Sequence, residues 1–404
     1  MARQSPLVLV GNKIKLRLEE NRAHAGSLVS VDWLRATFQV KPNHRHIFSP
    51  DVPEYKKWLR LNVEQYRVDG RDDFRFLPCH EHHALQARWL AEEACAALGA
   101  DFHIDYMIKK GQDFYRFRVS IMREGHECGW VGFVANTRSA AQERQNNTLH
   151  LNLYGHACTF GAPGWQQRMQ RLIEAENATI TRVDLALDDF EASADYLPQC
   201  KADYEHGLMN VAGQEPKMNM VGCWRSDGKG HSRSLYIGSK EAGKQTNIYE
   251  KGHQLFGPES GSTWTRIELR YGNKLRVISP QVLTNPDSFF SGASDWHAQQ
   301  LRIAKQAQGV SSATAPESIK VTPRLAIQTV KAEVFRNARW LFNVAAPSVL
   351  QAFKNSGDEF LQLFMHKEKP GRLKRFSDKE ISAVYPSAIH QILGLGLPEP
   401  SMAV

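Results

Sequence analysis

In three stretches between residues 179 and 272 the chain alternates polar and apolar side chains with a period of two, and this pattern most restricts what it can fold into. Successive side chains of a strand point to opposite faces, so the alternation assigns each residue to a side. In TRVDLALDD, Val183, Leu185 and Leu187 form a core face, opposite Arg182, Asp184, Ala186 and Asp188. In WTRIELRY, Ile267 and Leu269 oppose Arg266, Glu268 and Arg270. In TNIYEKG, Ile248 belongs to the core side, with Asn247, Tyr249 and Lys251 on the polar side and Glu250 turned away from them.

The stretch LYIGSKEAGKQTNIYEKG separates two of these strands and carries a G-x-x-x-x-G-K spacing at Gly238, Gly243 and Lys244. A phosphate-binding loop needs Ser or Thr after the lysine and a helix whose amides face the phosphates. Gln245 stands there, and TNIYEK continues as a strand. A hairpin turning at SKEAGKQ accounts for both glycines, because glycine reaches backbone angles that strain other residues.

Upstream, SVDWLRATFQV reads as the first firm strand, EHHALQARWLAEEACAAL as a helix, and FYRFRVSIM, GWVGFVAN and LHLNLYGHACTF as strands, the last turning at Gly155. PGWQQRMQRLIEAEN has one apolar helical face, of Trp165, Met169, Leu172 and Ile173. Hairpins mixed with helices, without a strict βα rhythm, predict an α+β fold: a mainly antiparallel sheet with packed helices, then a helical C-terminal region. Residues 1–28 read as a basic N-terminal arm, 29–285 as the main domain and 286–404 as the helical region, with GVSSATAPES as a linker or exposed loop.

The 404 residues suffice for more than one folding unit. Lys and Arg exceed Asp and Glu by 51 to 43, which suits a polyanionic partner without requiring one. The six cysteines show no C-x-x-C pairing, which argues against a zinc cluster and for reduced thiols in a cytoplasm. No apolar run approaches the ~20 residues that span a bilayer, so no membrane partner is expected.

Side by side, the three polar faces would gather carboxylates, cations and a phenol on one surface. Alternating charge also suits a solvated face of cross-strand ion pairs. As a set, however, the residues are the parts for metal-assisted phosphoryl transfer, with Asp184, Glu268 and Asp188 as metal ligands leaving room for a phosphodiester.

The order VDWLRATF, LHLNLYGHAC, TRVDLALDD, LYIGSKEAGKQTNIYEKG and WTRIELR, over roughly residues 30 to 280, resembles the replication initiation factors of rolling-circle plasmids and filamentous phages. The resemblance implies an endonuclease that nicks one strand at an origin through a 5′-phosphotyrosine link and leaves a free 3′ hydroxyl. It implies Tyr249 as the nucleophile, with Tyr236 as fallback, and Asp184 and Glu268 holding Mg2+ or Mn2+. No His-hydrophobic-His triplet occurs, so carboxylates are the expected ligands. Lys251 and Arg266 would assist the chemistry, and Lys244, Arg182, Arg270, Lys374 and Arg375 would contact DNA. Origin DNA, a host helicase and a polymerase are the implied partners, and a homodimer stays open. The competing reading is a sequence-specific DNA-binding regulator of a replicon with no catalysis.

Overall fold

In the computed structural model, residues 6–42, 53–70, 74, 76–136, 145–211, 213–225, 230–310, 313–362 and 367–393 are described. They divide into two compact units: residues 1–273 with 277–320, and residues 274–276 with 321–404. The first unit thus runs past the expected boundary near 285. Helices at Pro286–Ser291 and Asp295–Ala307 place Phe289, Phe290, Trp296 and Leu301 in the same core as the sheet.

Among the described residues, eleven strands make one sheet in the first unit: β1 (Val29–Gln39), β2 (His103–Ile104), β3 (Lys109–Lys110), β4 (Tyr115–Arg123), β5 (His126–Ala135), β6 (Thr148–Leu153), β7 (Thr179–Asp189), β8 (Met218–Cys223), β9 (His231–Ser239), β10 (Lys244–Tyr249) and β11 (Thr265–Gly272). Their order is β2-β4-β5-β6-β1-β7-β11-β10-β9-β8, with β3 beside β4, and the pairings are antiparallel. The α+β architecture expected from the alternation is therefore present. β9 and β10 form the predicted hairpin; Gly238 (φ 82°) and Gly243 (φ 67°) take the left-handed angles its turn requires.

Helices pack on the sheet. In chain order these are α1 (Pro6–Ala25), α2 (Pro53–Val68), α3 (Glu81–Leu98), α4 (Gly155–Phe160), α5 (Trp165–Ala175), α6 (Tyr196–Glu205), α7 (Lys251–Phe256), α8 (Pro286–Ser291) and α9 (Asp295–Ala307), of which α3, α5 and α8 contribute most visibly to the core. Leu85, Leu90 and Ala94 of α3 and Met169 and Ile173 of α5 pack with Leu34, Val183, Leu185, Ile248 and Leu269 of the strands. α1 and α4 correct two sequence expectations. The N-terminal arm is a helix from Pro6, tied down by Asn21, which donates to the Thr159 carbonyl, and Arg22, which donates to the Asp188 carbonyl. GHACTF, expected to continue a strand, is α4.

The second unit contains α10 (Pro323–Trp340), α11 (Ala346–Gln362) and α12 (Asp378–Leu393), with a small core of Val330, Val334, Ala338, Leu373 and Ala388. It is helical, as its sequence pattern predicts. Among the described residues no helix is long and apolar enough to cross a membrane.

Candidate active site

β7, β11 and β10 are neighbours, so the polar faces read from the alternation do meet. Register decides what each side chain then does. Arg266 lies opposite Asp188 and Arg270 opposite Asp184, whereas Glu268 lies opposite Ala186. The first two acids are therefore met by cross-strand cations, while the small side chain at 186 leaves Glu268 free to face outward.

Asp188 is fully enclosed. It accepts from Arg266 Nε (2.7 Å) and Nη2 (3.0 Å) and from Trp264 Nε1 (2.7 Å), with Arg22 Nη2 at 4.0 Å. Burial alone would raise its proton affinity, but Arg266, Arg22 and Trp264 together outweigh burial and hold the carboxyl below the ordinary range. Asp184, 1% exposed, lies between two guanidinium groups. Arg182 Nε (2.8 Å) and Nη2 reach one oxygen each, and Arg270 Nε reaches both at 3.2 Å. The expectation that Asp184 and Asp188 ligate a metal is corrected: their oxygens are already engaged, and they fix the arginines instead.

A cavity of about 300 Å³ opens on this face, lined by Asp32, Trp33, Gly155, His156, Arg182, Tyr249, Lys251, Arg266, Glu268 and Arg270, with Ile14 from α1 and Gln254 from α7. Tyr249, 8% exposed, donates its hydroxyl proton to Glu268 Oε2 at 3.3 Å. Burial pushes its phenol well above the usual range, so the group is neutral at physiological pH. Lys251 begins α7 instead of extending the strand, yet its Nζ lies 5.7 Å from the Tyr249 ring centre. Burial makes its ammonium more acidic than usual. Glu268 is pushed up to about 7, first by burial and then by the negative charges of Asp32 and Asp184. Burial opposes the Arg266 cation, but Asp188 and Asp32 outweigh it and raise its proton affinity.

Asp32 and Trp33 are the functional candidates that the alternation missed. Along β1, Val31 pairs with Leu185 and Trp33 with Asp184, so one extra residue is inserted on β1. This is a bulge, and a bulge re-aims side chains. Counting by twos back from core residue Leu34 would send Asp32 into the core, whereas it faces the cavity and accepts from Arg266 Nη1 at 2.6 Å. Gly155 makes room: a Cβ there would stand 3.1 Å from the Asp32 carbonyl and 3.3 Å from its Oδ1. Only the WLRATF half of the motif obeys the period that reveals a face.

Three expected DNA contacts are not among the residues lining the cavity. Lys244 shares the side of Thr246 and Ile248, away from the cavity, and its Nζ donates to the Ala293 carbonyl at 2.9 Å. In the second unit, Lys374 pairs with Glu368 and Arg375 with Glu333 at 3.2 Å. Tyr236 lies on β9 opposite Asn247, one strand beyond Tyr249, and does not line the cavity.

Among the described residues no group of three or more His, Cys, Asp or Glu converges as a metal centre. Asp32 and Glu268 remain as two carboxylates on one cavity. Each keeps an oxygen that no arginine holds, since Asp32 meets Arg266 through Oδ1 and Glu268 meets Arg270 through Oε1, so this pair fits a hard divalent ion, which binds through one or two carboxylates plus substrate phosphates.

Residues 178–363 match the family model described as replication initiation factor, a span that includes β7, β9, β10 and β11 and leaves out β1. The chain is also similar to a rolling-circle replication initiator protein from Geobacillus stearothermophilus, at 17% identity over 68% of this chain and 84% of that one, with a TM-score of 0.40. No curated protein matches.

Proposed function

Proceeding from the replication initiation factor match, we propose that this chain nicks one strand of origin DNA by attack of the Tyr249 phenol on a backbone phosphate. The observation that carries this reading is the Tyr249 hydroxyl on Glu268 inside a cavity lined by Lys251, Arg266, Arg270 and Arg182. Initiators of the rolling-circle class are nicking endonucleases in general.

The residues divide the work by their chemistry. A neutral phenol is a poor nucleophile until its proton has somewhere to go. Glu268, with a proton affinity near neutral, is hydrogen-bonded to that proton and accepts it as the tyrosine oxygen bonds to phosphorus. The bond from phosphorus to the 3′ oxygen breaks, and Lys251, acidified by burial, supplies the proton that makes the 3′ hydroxyl. Arg266 and Arg270, held by Asp188 and Asp184, present fixed positive charge to the phosphate oxygens. Mg2+ or Mn2+ would polarise the phosphate, with Asp32 as the carboxylate left to hold it once Glu268 takes the proton. The phosphotyrosine ester conserves the energy of the broken bond, so rejoining needs no ATP.

The test incubates the protein with Mg2+ or Mn2+ and supercoiled plasmid bearing its own replicon's origin, followed by denaturing electrophoresis. Wild type should give open circles and a protein band shifted by covalent DNA. Tyr249→Phe should lose both and Tyr236→Phe neither. An adduct that survives Tyr249→Phe removes the assignment, and origin binding without open circles favours the non-catalytic regulator.

A further inference from the structure

We propose that Trp33 and Tyr154, with the guanidinium groups of Arg182 and Arg35, form a stacking platform for the unpaired bases of single-stranded DNA flanking the phosphate at Tyr249. The proposal deepens the reading of the cavity as a nicking site and rests on it.

The side chains in question form a continuous patch on the face of β1, β6 and β7 opposite the helix-packed core. The Trp33 and Tyr154 rings are 5.0 Å apart and tilted by 49°. The Arg182 guanidinium lies 4.6 Å from the Trp33 ring centre and that of Arg35 at 5.8 Å. All four side chains are partly exposed. The indole is fixed before any ligand arrives: its Nε1 donates to Asn152 Oδ1 at 2.8 Å, and Arg35 Nε donates to the same oxygen at 3.3 Å. Asn152 is 1% exposed, so this support lies within the sheet and away from solvent. Trp33 reaches this face by the regular alternation from Leu34, with its Cα paired to Asp184, and the bulge brings Asp32 beside it.

Two features identify the occupant. Flat aromatic rings beside guanidinium planes recognise other flat π faces next to anions, which is the chemistry of a polynucleotide. Trp33 and Arg182 also line the cavity that contains Tyr249, so the patch is within reach of the nucleotides next to a phosphate bound there. Bases in a duplex have both faces covered by their stacked neighbours, which restricts the patch to unpaired bases.

The experiment measures fluorescence anisotropy of labelled oligothymidylate and of a labelled mixed-sequence duplex in EDTA, where no strand is cut. Wild type should prefer the single strand. Trp33→Leu should weaken single-strand binding about tenfold or more, the range seen on deleting one stacking ring, while Trp33→Phe should retain most of it. Tyr154→Leu should show a similar loss and decides the matter if Trp33→Leu fails to fold. Unchanged oligothymidylate binding by a folded Trp33→Leu or Tyr154→Leu variant overturns the platform, as does equal loss for strand and duplex. Tyr249→Phe separates the two readings: if it still forms the covalent adduct the nicking assignment falls, whereas the platform is judged by binding alone.

Discussion

The Tyr249 hydroxyl and the Glu268 carboxylate meet at 3.3 Å although Glu268 is paired across the strands with Asn247, not with Tyr249. The contact is diagonal, and it joins the phenol of the cavity to an acid whose other oxygen accepts from Arg270 Nη2 at 3.4 Å. Glu268→Gln keeps the shape and a hydrogen-bond acceptor but cannot take the proton. Adduct formation with origin DNA should slow by about 10²–10⁴-fold, with DNA affinity nearly unchanged. A rate within a few-fold of wild type, read by timed quench and denaturing electrophoresis, would remove Glu268 as the proton acceptor.

The same carboxylate should make stability depend on pH when divalent ions are chelated. Its folded-state proton affinity is about 7, against about 4.3 for an unfolded glutamate. Between these values the folded chain binds the extra proton, so stability is greatest below about pH 4.3 with respect to this group and is lost as pH rises through 7. Urea unfolding in EDTA should show Glu268→Gln gaining stability over wild type at pH 8 and much less at pH 5. Equal differences at both values would contradict the shift.

Asp188 should matter for the fold before it matters for chemistry. Asp188→Asn leaves Arg266, 1% exposed, without its main counter-charge. Removing one partner of a buried pair costs about 3–5 kcal/mol, and the thermal midpoint of the first unit should fall accordingly. A variant that melts like wild type would mean that Asp32 alone satisfies Arg266.

Metal dependence should separate the acids that face the cavity from those that do not. Asp32→Asn should raise the Mn2+ concentration needed for half-maximal nicking, because one of two cavity carboxylates is gone. Asp184→Asn should leave that concentration nearly unchanged and instead loosen Arg182 and Arg270, which appears as weaker DNA binding. The reverse pattern, in a manganese titration, would return Asp184 to the metal.

The sequence by itself determined the α+β class, the β9–β10 hairpin and the faces of β7, β10 and β11, because regular strands obey a period of two that neighbours cannot alter. It therefore also determined that Tyr249, Arg266, Glu268 and Arg270 share a side. Tertiary structure decided which acids were left for chemistry. Residues on one face look alike in sequence, but register sets Arg266 against Asp188, Arg270 against Asp184 and only Ala186 against Glu268. It also decided the place of Asp32, since a bulge is an irregularity of pairing between two strands and leaves no periodic trace in either. α1 became a docked helix for the same kind of reason: Asn21 and Arg22 find their partners some 140 to 170 residues away, where only the folded chain brings them close.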